Sequence, residues 1–548
     1  MLSHAPTTES ARPAWWQDLQ ADEFAWQVPD DLNIARVCAD DQDPAATALI
    51  VDTGSDVSHY TFGELRDLSR QFAAGLREAG IDVGDRIGVM VPQGLEVLTA
   101  HLGAYRAGVV TVPLSVKFGP SAVLHRLGDS GARLLVVDEQ ILPRIRDDIA
   151  TLPDLETVVV VGAAGNGARE IAFADFADRP ATTEADAPTT AESPAIIVYT
   201  SGTTGAAKGA LHAHRVLPAH MPAVRTVFGN APQPGDVFWT PADWAWIGGL
   251  YDVLFPALGM GCAVVATPDG FTPQRALEVM EAHRVTASFI PPTALKQMRA
   301  TGVDREAASG LCVRALVSGG ESLGEVLRAW VAETFHVDIN EFYGQTEMNL
   351  TIGTDRTAWT AEPGSMGRAF PGFTVRILTE DDVVAEPGNV GEICVATGNP
   401  GQFLGYWNLP DRTQDKVHDG WIHTGDRGRA DADGNIWYEG RADDVISSAG
   451  YRIGPGEIEE CLITHPSVAM AAVIGVPDDL RGEAVHAFVV PSADAAPEQT
   501  LRVELQNHVK HHLAFYQYPR QITFVDELPT TVTGKILRRE LRVLAAQS

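Results

Sequence analysis

The sequence predicts an α/β protein: a large N-terminal body of two α/β layer sets plus a β-rich subdomain, followed by a small α+β C-terminal domain. Three observations predict it. At 548 residues the chain exceeds what a single hydrophobic core usually serves, so more than one domain is required. From Tyr60 to Phe335 β-branched runs alternate with stretches of helical periodicity, the pattern of mainly parallel sheets covered by helices. From Gly364 to Gly440 short strand-like runs broken by glycine replace that alternation.

Residues 1–55, acidic and rich in Trp, Asp and Pro, read as a covering segment anchored by Trp15 and Trp16. Thr61 and Glu64 have capping-box spacing, and Leu65, Leu68, Phe72 and Leu76 recur at helical intervals until Gly80 closes the element. Strand-like and helical runs then alternate: Arg86 to Val91, a helix to Ala107, Val109 to Pro113, a helix near Ser121 to Leu127, Leu134 to Val137, and Val158 to Val161. Residues 162–194 lose periodicity after Phe176 and read as an exposed connector at a boundary between two halves. A second set runs through Val237 to Thr240, Ala263 to Ala266, a helix near Gln274 to His283, Ala287 to Ile290, Arg314 to Val317, and a helix from Leu323 to Phe335. Thr374 to Leu378, Gly391 to Ala396 and Asn435 to Glu439 are the short strands of the subdomain. The body should end near Gly440, giving 1–440 and 441–548, and the latter holds two further helical patterns and two strands.

A formal charge of −31 would repel nucleic acid and anionic lipid over the whole surface, so any anionic ligand needs local cations. Five cysteines without a CxxC pair argue against a disulfide framework or zinc site, and fit a reducing cytoplasm. Neither an export signal nor an apolar run long enough to span a membrane is expected.

The chain is organised around YTSGTTGAAKG at 199–209, where an apolar run feeds Thr200, Ser201, Gly202, Thr203, Thr204, Gly205 and Lys208. Glycines let backbone N–H groups approach an anion, hydroxyls donate and the lysine adds charge, which suits a polyphosphate. A Ser/Gly-rich surface turn is the alternative. The spacing is not that of a P-loop, since Gly209 stands where the magnesium-binding hydroxyl would be. His212 and His214 are expected to cap or line the helix after this loop, while His508, His511 and His512 share a predicted helical face at ligand-like spacing without a fourth partner.

Further motifs follow in order: SGGE at 318–321, YGQTE at 343–347, HTGD at 423–426, GRADD at 440–444, GYRIGPGEIE at 450–459 and TGK at 533–535. With these the chain, from about Tyr60 to Arg542, resembles the adenylate-forming superfamily of acyl-CoA synthetases, peptide-synthetase adenylation domains and luciferases. Its closing run YQYPRQITFV and LPTTVTGKI, with SAGYRIGPGEIE, looks most like the medium-chain acyl-CoA synthetases.

The resemblance implies ATP, Mg²⁺ and CoA, with a carboxylate converted to an acyl-adenylate and then to a thioester. It implies that Lys535 is the catalytic lysine, that Glu347 holds Mg²⁺, and that Thr346 meets the α-phosphate. Tyr343 would face adenine, Gly319, Gly320 and Glu321 would approach the purine, and Glu341, Phe342, Gly344 and Gln345 complete that wall. Asp426 would accept from the ribose hydroxyls, with Arg441 a second nucleotide contact. Asp443 would be the hinge of a small mobile C-terminal domain that presents first the Lys535 loop and then the Gly450 loop. Gly450, Tyr451, Arg452 and Arg481 would meet CoA, and Ala449 replaces a serine common in relatives. Asp243, Trp244, Trp246, Gly248 and Gly249 match the pocket-lining segment for the acid, although the tryptophans fit plain core equally. Gly344, where acetate-specific relatives carry Trp, is expected to leave room for a longer or aromatic acid. Two alternatives stand beside a CoA ligase: transfer to a carrier protein, and a catalytically silent nucleotide-binding regulator. A homo-oligomer is compatible with all three.

Overall fold

A computed structural model describes residues 24–548 apart from 164–166, 168, 201–206, 322, 357–361, 442–443, 445, 449–450, 479–480, 493–494, 496, 514–516, 532–535 and 548. The fold is α/β with mixed sheets and a separate C-terminal domain.

One sheet of nine described strands runs, edge to edge, Arg368–Ala369, Asn349–Gly353, Asn340–Gln345, Ala315–Gly319, Ala287–Phe289, Val237–Trp239, Ala263–Ala266, Thr47–Asp52 and Val57–Thr61, parallel except at its two ends. A second, of eight, runs Gly405–Tyr406, Lys208–Ala213, Pro194–Thr200, Val110–Pro113, Arg86–Met90, Leu134–Asp138, Thr157–Val161 and Glu170–Ala172. Period-two alternation explains how they pack. Leu134 and Val136 enter a core shared with the first sheet, whereas Leu135 and Val137 face a separate cluster on the outer side. In the first sheet Leu49 and Val264 point into the shared core, and Ile50 and Val265 point away from it.

Helices Phe62–Glu78 and Leu95–Arg106 fill the shared core with Leu65, Phe72, Leu76, Leu98 and Leu102. The first begins with the expected capping box: Thr61 Oγ1 accepts from the Glu64 backbone N–H, and Glu64 accepts in return from the Thr61 N–H. A third, antiparallel sheet contains Val375–Leu378, Gly391–Ala396, Trp421–Ala430, Val417–His418 and Ile436–Arg441. Past Arg441 the chain enters a fourth sheet of Tyr451–Ile453, Ile446–Ser448, Gly482–Pro491, Val468–Asp478 and Gln521–Phe524, with helices Pro455–Ile463, Glu498–His512 and Arg538–Gln547. No described helix is long and apolar enough to cross a membrane.

Three expectations are corrected. The early segment does more than cover: Leu32, Ile34 and Ala35 are buried and Thr47–Asp52 is an internal strand, because the apolar run from Ala48 to Val51 is long enough for one even in an acidic stretch. Trp15 and Trp16 lie outside the described residues. Residues 162–194 do not divide two halves, since strands on both sides of them belong to the second sheet and Phe176 is buried. Third, the 199–209 segment joins two antiparallel strands, Pro194–Thr200 and Lys208–Ala213, so His212 is a strand residue, while His214 lies in the turn before the helix Val216–Val227, its carbonyl accepting from the Leu217 N–H.

Arg106 is fully buried and ties this early segment down: it pairs with Asp40, lies 3.5 Å from Asp186 and donates to Ser69 Oγ at 2.8 Å. Arg106→Met removes a cation shared by two carboxylates and is expected to cost about 3 kcal/mol, seen as a lower urea midpoint. An unchanged midpoint would show that the cluster is not a structural tie.

Candidate active site

The strand Asn340–Gln345, at the junction of the first and third sheets, carries the residues around which the site is built. Its pairing with Asn349–Gly353 shifts register between Tyr343 and Gly344, a bulge that re-aims the residues beyond it. Gly344 is required there: a Cβ would lie 1.8 Å from the Asn349 carbonyl oxygen. The glycine therefore has a reason in the fold itself.

Asp426 lies in Trp421–Ala430, whose burial alternates so that Ile422, Thr424 and Asp426 all point inward. A buried carboxylate must be hydrogen-bonded. The Tyr343 hydroxyl and Gln345 Nε2 both donate to Asp426 Oδ2 at 2.6 Å. Lys416 Nζ donates to Gln345 Oε1 at 2.7 Å and to the Thr424 carbonyl at 3.2 Å. On the other side of Lys416, the Tyr406 hydroxyl donates to Glu347 Oε1, and Lys208 Nζ sits 4.4 Å from the Tyr406 ring centroid.

The electrostatics follow. Burial pushes the Glu347 carboxyl up, but the Lys416 ammonium, the Tyr406 hydroxyl and Lys208 outweigh it and hold it below its ordinary value. Burial also pulls Lys416 down, against the opposing pull of Glu347 and Asp426. His212, pushed down to about 4 by burial, is neutral at pH 7, and its Nε2 donates to the Thr346 carbonyl at 2.7 Å. The hairpin that carries Lys208 is thereby fastened to the YGQTE segment.

Thr200 Oγ1 lies 3.4 Å from the Lys208 carbonyl at the mouth of the hairpin, while Ser201, Gly202, Thr203, Thr204 and Gly205 are outside the described residues. Gly319 packs under the Phe342 ring, where a Cβ would be 2.7 Å from it, whereas Gly320, at φ +87°, faces open space. Glu321 is near Thr293 Oγ1 at 3.4 Å and Lys296 at 3.9 Å. Glu341, buried in the strand, accepts from half-buried Arg328 at 2.8 Å. Arg441 stands opposite Asp426 in register.

In the acid-pocket segment Asp243 accepts from Ser115 at 2.6 Å, and Trp244 is fully buried in the shared core. Trp246 packs edge-on against Phe118 at 5.8 Å; Gly249 lets the Asp243 carbonyl approach, and Gly248 lies beside Phe289. Arg481 is near Asp478 at 3.4 Å, in the turn between two strands of the fourth sheet. Lys535, Asp443, Ala449 and Gly450 lie outside the described residues, and of Tyr451 and Arg452 only the backbone, in the strand Tyr451–Ile453, is described. Thr530 and Ile536 pair in an antiparallel bridge.

Sequence reasoning missed Lys416 and Tyr406. Lys416 ends the helix Pro410–Lys416, in a charged run that reads as solvated surface, and nothing in its neighbours marks it as a partner of Gln345.

A mixed-sheet body with a separate small domain, and a nest of cations and carboxylates between glycine-rich segments, define an adenylate-forming enzyme. The family model for AMP-binding enzymes matches residues 37–407 and that for their C-terminal domain matches residues 457–535, and the chain belongs to this family. It is 34% identical over 510 residues to the acyl-coenzyme A synthetase ACSM4, mitochondrial, of Homo sapiens, covering 91% of this chain and 87% of that one. Its structure is similar to that of the anthranilate CoA ligase AuaEII in complex with anthranoyl-AMP (TM-score 0.87, 27% identity, 95% of this chain and 99% of that chain). It is also similar to a benzoate CoA ligase from Burkholderia xenovorans LB400 (TM-score 0.83, 28% identity, 93% and 99%).

Lys416→Met removes the ammonium that holds Glu347 ionised. The carboxyl value then rises, so the acid limb of the adenylation pH profile should move to higher pH, with the KM for ATP raised about tenfold, a loss of roughly 1.4 kcal/mol. A pyrophosphate-release profile identical to that of the parent would exclude this role.

Proposed function

We propose that the chain activates a medium-chain, branched or aromatic carboxylic acid as an AMP-forming acid–CoA ligase. The observation that carries this reading is the hydrogen-bonded set of Glu347 and Asp426, both buried, and half-buried Lys416 at the YGQTE segment, beside the Lys208 hairpin, in a chain of the AMP-binding family. In the first step a carboxylate oxygen attacks the α-phosphorus of ATP and pyrophosphate leaves. In the second the CoA sulfur attacks the acyl carbonyl, loses its proton, and AMP leaves.

Bringing a carboxylate onto an anionic phosphate in a dry site requires cations already in place. We assign Lys208 and the 200–205 segment to the β- and γ-phosphates, Asp426 to the ribose and Lys535 to the reacting oxygens. The bonds from Tyr343 and Gln345 place the Asp426 carboxylate before nucleotide arrives, and a ribose hydroxyl would compete for the same oxygen. Glu347, a buried carboxylate held ionised, is chemically suited to a hard divalent cation, and Mg²⁺ bound there would neutralise phosphate charge. Residues 1–440 would form the nucleotide-binding part and 441–548 the moving part, turning at Asp443. Gly450, Tyr451, Arg452 and Arg481 would serve the thiol step. Aromatic-acid ligases among the structural neighbours, and the apolar wall of Trp246 and Phe118, support an aliphatic or aryl acid. The five cysteines, all free, suit the cytoplasm in which we place the protein.

Purified protein given ATP, Mg²⁺, CoA and octanoate, butyrate or benzoate should release pyrophosphate and AMP, with CoA accelerating AMP release. Release of ADP, or indifference to CoA, would refute the ligase. Lys535→Ala should abolish adenylation yet spare thioester formation from supplied acyl-AMP, and equal loss of both half-reactions would contradict its role.

A further inference from the structure

Away from the nucleotide site, helix Pro455–Ile463 presents Cys461, and helix Glu498–His512, packed against it, presents His508 and His512. One ligand atom from each lies within 4.8 Å of the other two. Residues four apart share a helix face, and the two imidazole centroids are 4.3 Å apart, with the His465 ring edge-on to His508 at 5.3 Å. Independently, a cavity of about 290 Å³ opens beside them, lined by Glu460, Cys461, Thr464, His512 and Leu513.

A thiolate with two imidazoles is a borderline-soft donor set that suits a zinc-class ion rather than magnesium or calcium. We propose that Cys461, His508 and His512 bind a zinc-class transition-metal ion that staples the two helices, the cavity leaving its fourth position to water or an outside donor. His508 Nε2 stands 2.7 Å from Thr464 Oγ1 and 3.1 Å from the Cys461 carbonyl, neutral contacts that a coordinate bond would replace. The ligand is a thiolate, so the ion must displace the Cys461 thiol proton, and one proton leaves per ion bound. Glu460 accepts from the Glu325 backbone N–H of the body at 3.0 Å, so the staple adjoins a contact on which the C-terminal domain rests.

A second group, Glu392, Cys394 and His423, is geometrically similar but already committed. His423 Nδ1 lies 3.0 Å from Glu392, whose other oxygen accepts from the Gly425 N–H at 2.7 Å. It serves as an internal control.

The test is titration of the full-length, tag-free chain with Co²⁺, followed by Zn²⁺ competition. The expected result is one ion per chain with a thiolate-to-cobalt charge-transfer band that Zn²⁺ removes. Cys461→Ser should abolish the band, and His512→Ala, at an exposed position, should weaken binding by more than about tenfold, the loss that removing even an outer partner can cause. Cys394→Ser should change neither. No band, a band that survives Cys461→Ser, or one lost in Cys394→Ser with circular dichroism unchanged, would overturn the proposal.

Discussion

The structure depends on gathering three ionisable groups at one place, the buried carboxylates Glu347 and Asp426 and the half-buried Lys416. Each alone would cost several kcal/mol to remove from water, and each is tolerated because the others and the hydroxyls of Tyr343 and Tyr406 surround it. That arrangement draws on a strand of the first sheet, the edge hairpin of the second, a short helix and the long strand of the third. Three sheets meet where the charges are, and the apolar core shared between them fixes the meeting point.

Much of this was legible in the sequence. The capping box at Thr61, the buried run Leu134–Asp138 and the glycine-punctuated third sheet all announce themselves through local pattern. The motifs singled out Tyr343 and Asp426, but the turn expected at Gly425 and Asp426 is part of the strand Trp421–Ala430. What stayed hidden was set by long-range pairing. Thr47–Asp52 sits in an acidic stretch, and its neighbour Ala263–Ala266 is some two hundred residues away in the chain. Lys416 has an unremarkable helix end around it, and only the fold turns that end inward. Gly344 carried a meaning for substrate size in the motif, yet its local role is to let the Asn349 carbonyl pass. Burial of His212 likewise follows from sheet pairing rather than from its neighbours.

The overall charge of −31 sharpens the local requirement. An acidic surface discourages anions of every kind, so the cations that receive ATP must be few, close and shielded from that field. Lys208, to which we assign the phosphates, and Lys416 sit differently: the first leans over the Tyr406 ring and the second is held by the Gln345 side-chain carbonyl and the Thr424 carbonyl. The long arm of the hairpin lysine suits a ligand that comes and goes, and the fixed position of the other suits a permanent scaffold.

The antiparallel pairing of Trp421–Ala430 with Ile436–Arg441 sets Asp426 directly across from Arg441, the last residue before the chain leaves the body. The pairing shifts register just beyond, between Arg427 and Gly428, so the two residues share the last regular rungs of the ladder. On the proposed assignment of Asp426 to the ribose, sugar hydroxyls gripping one rail would bear on the neighbouring rail where it ends, one cross-strand pair away from the start of the smaller domain.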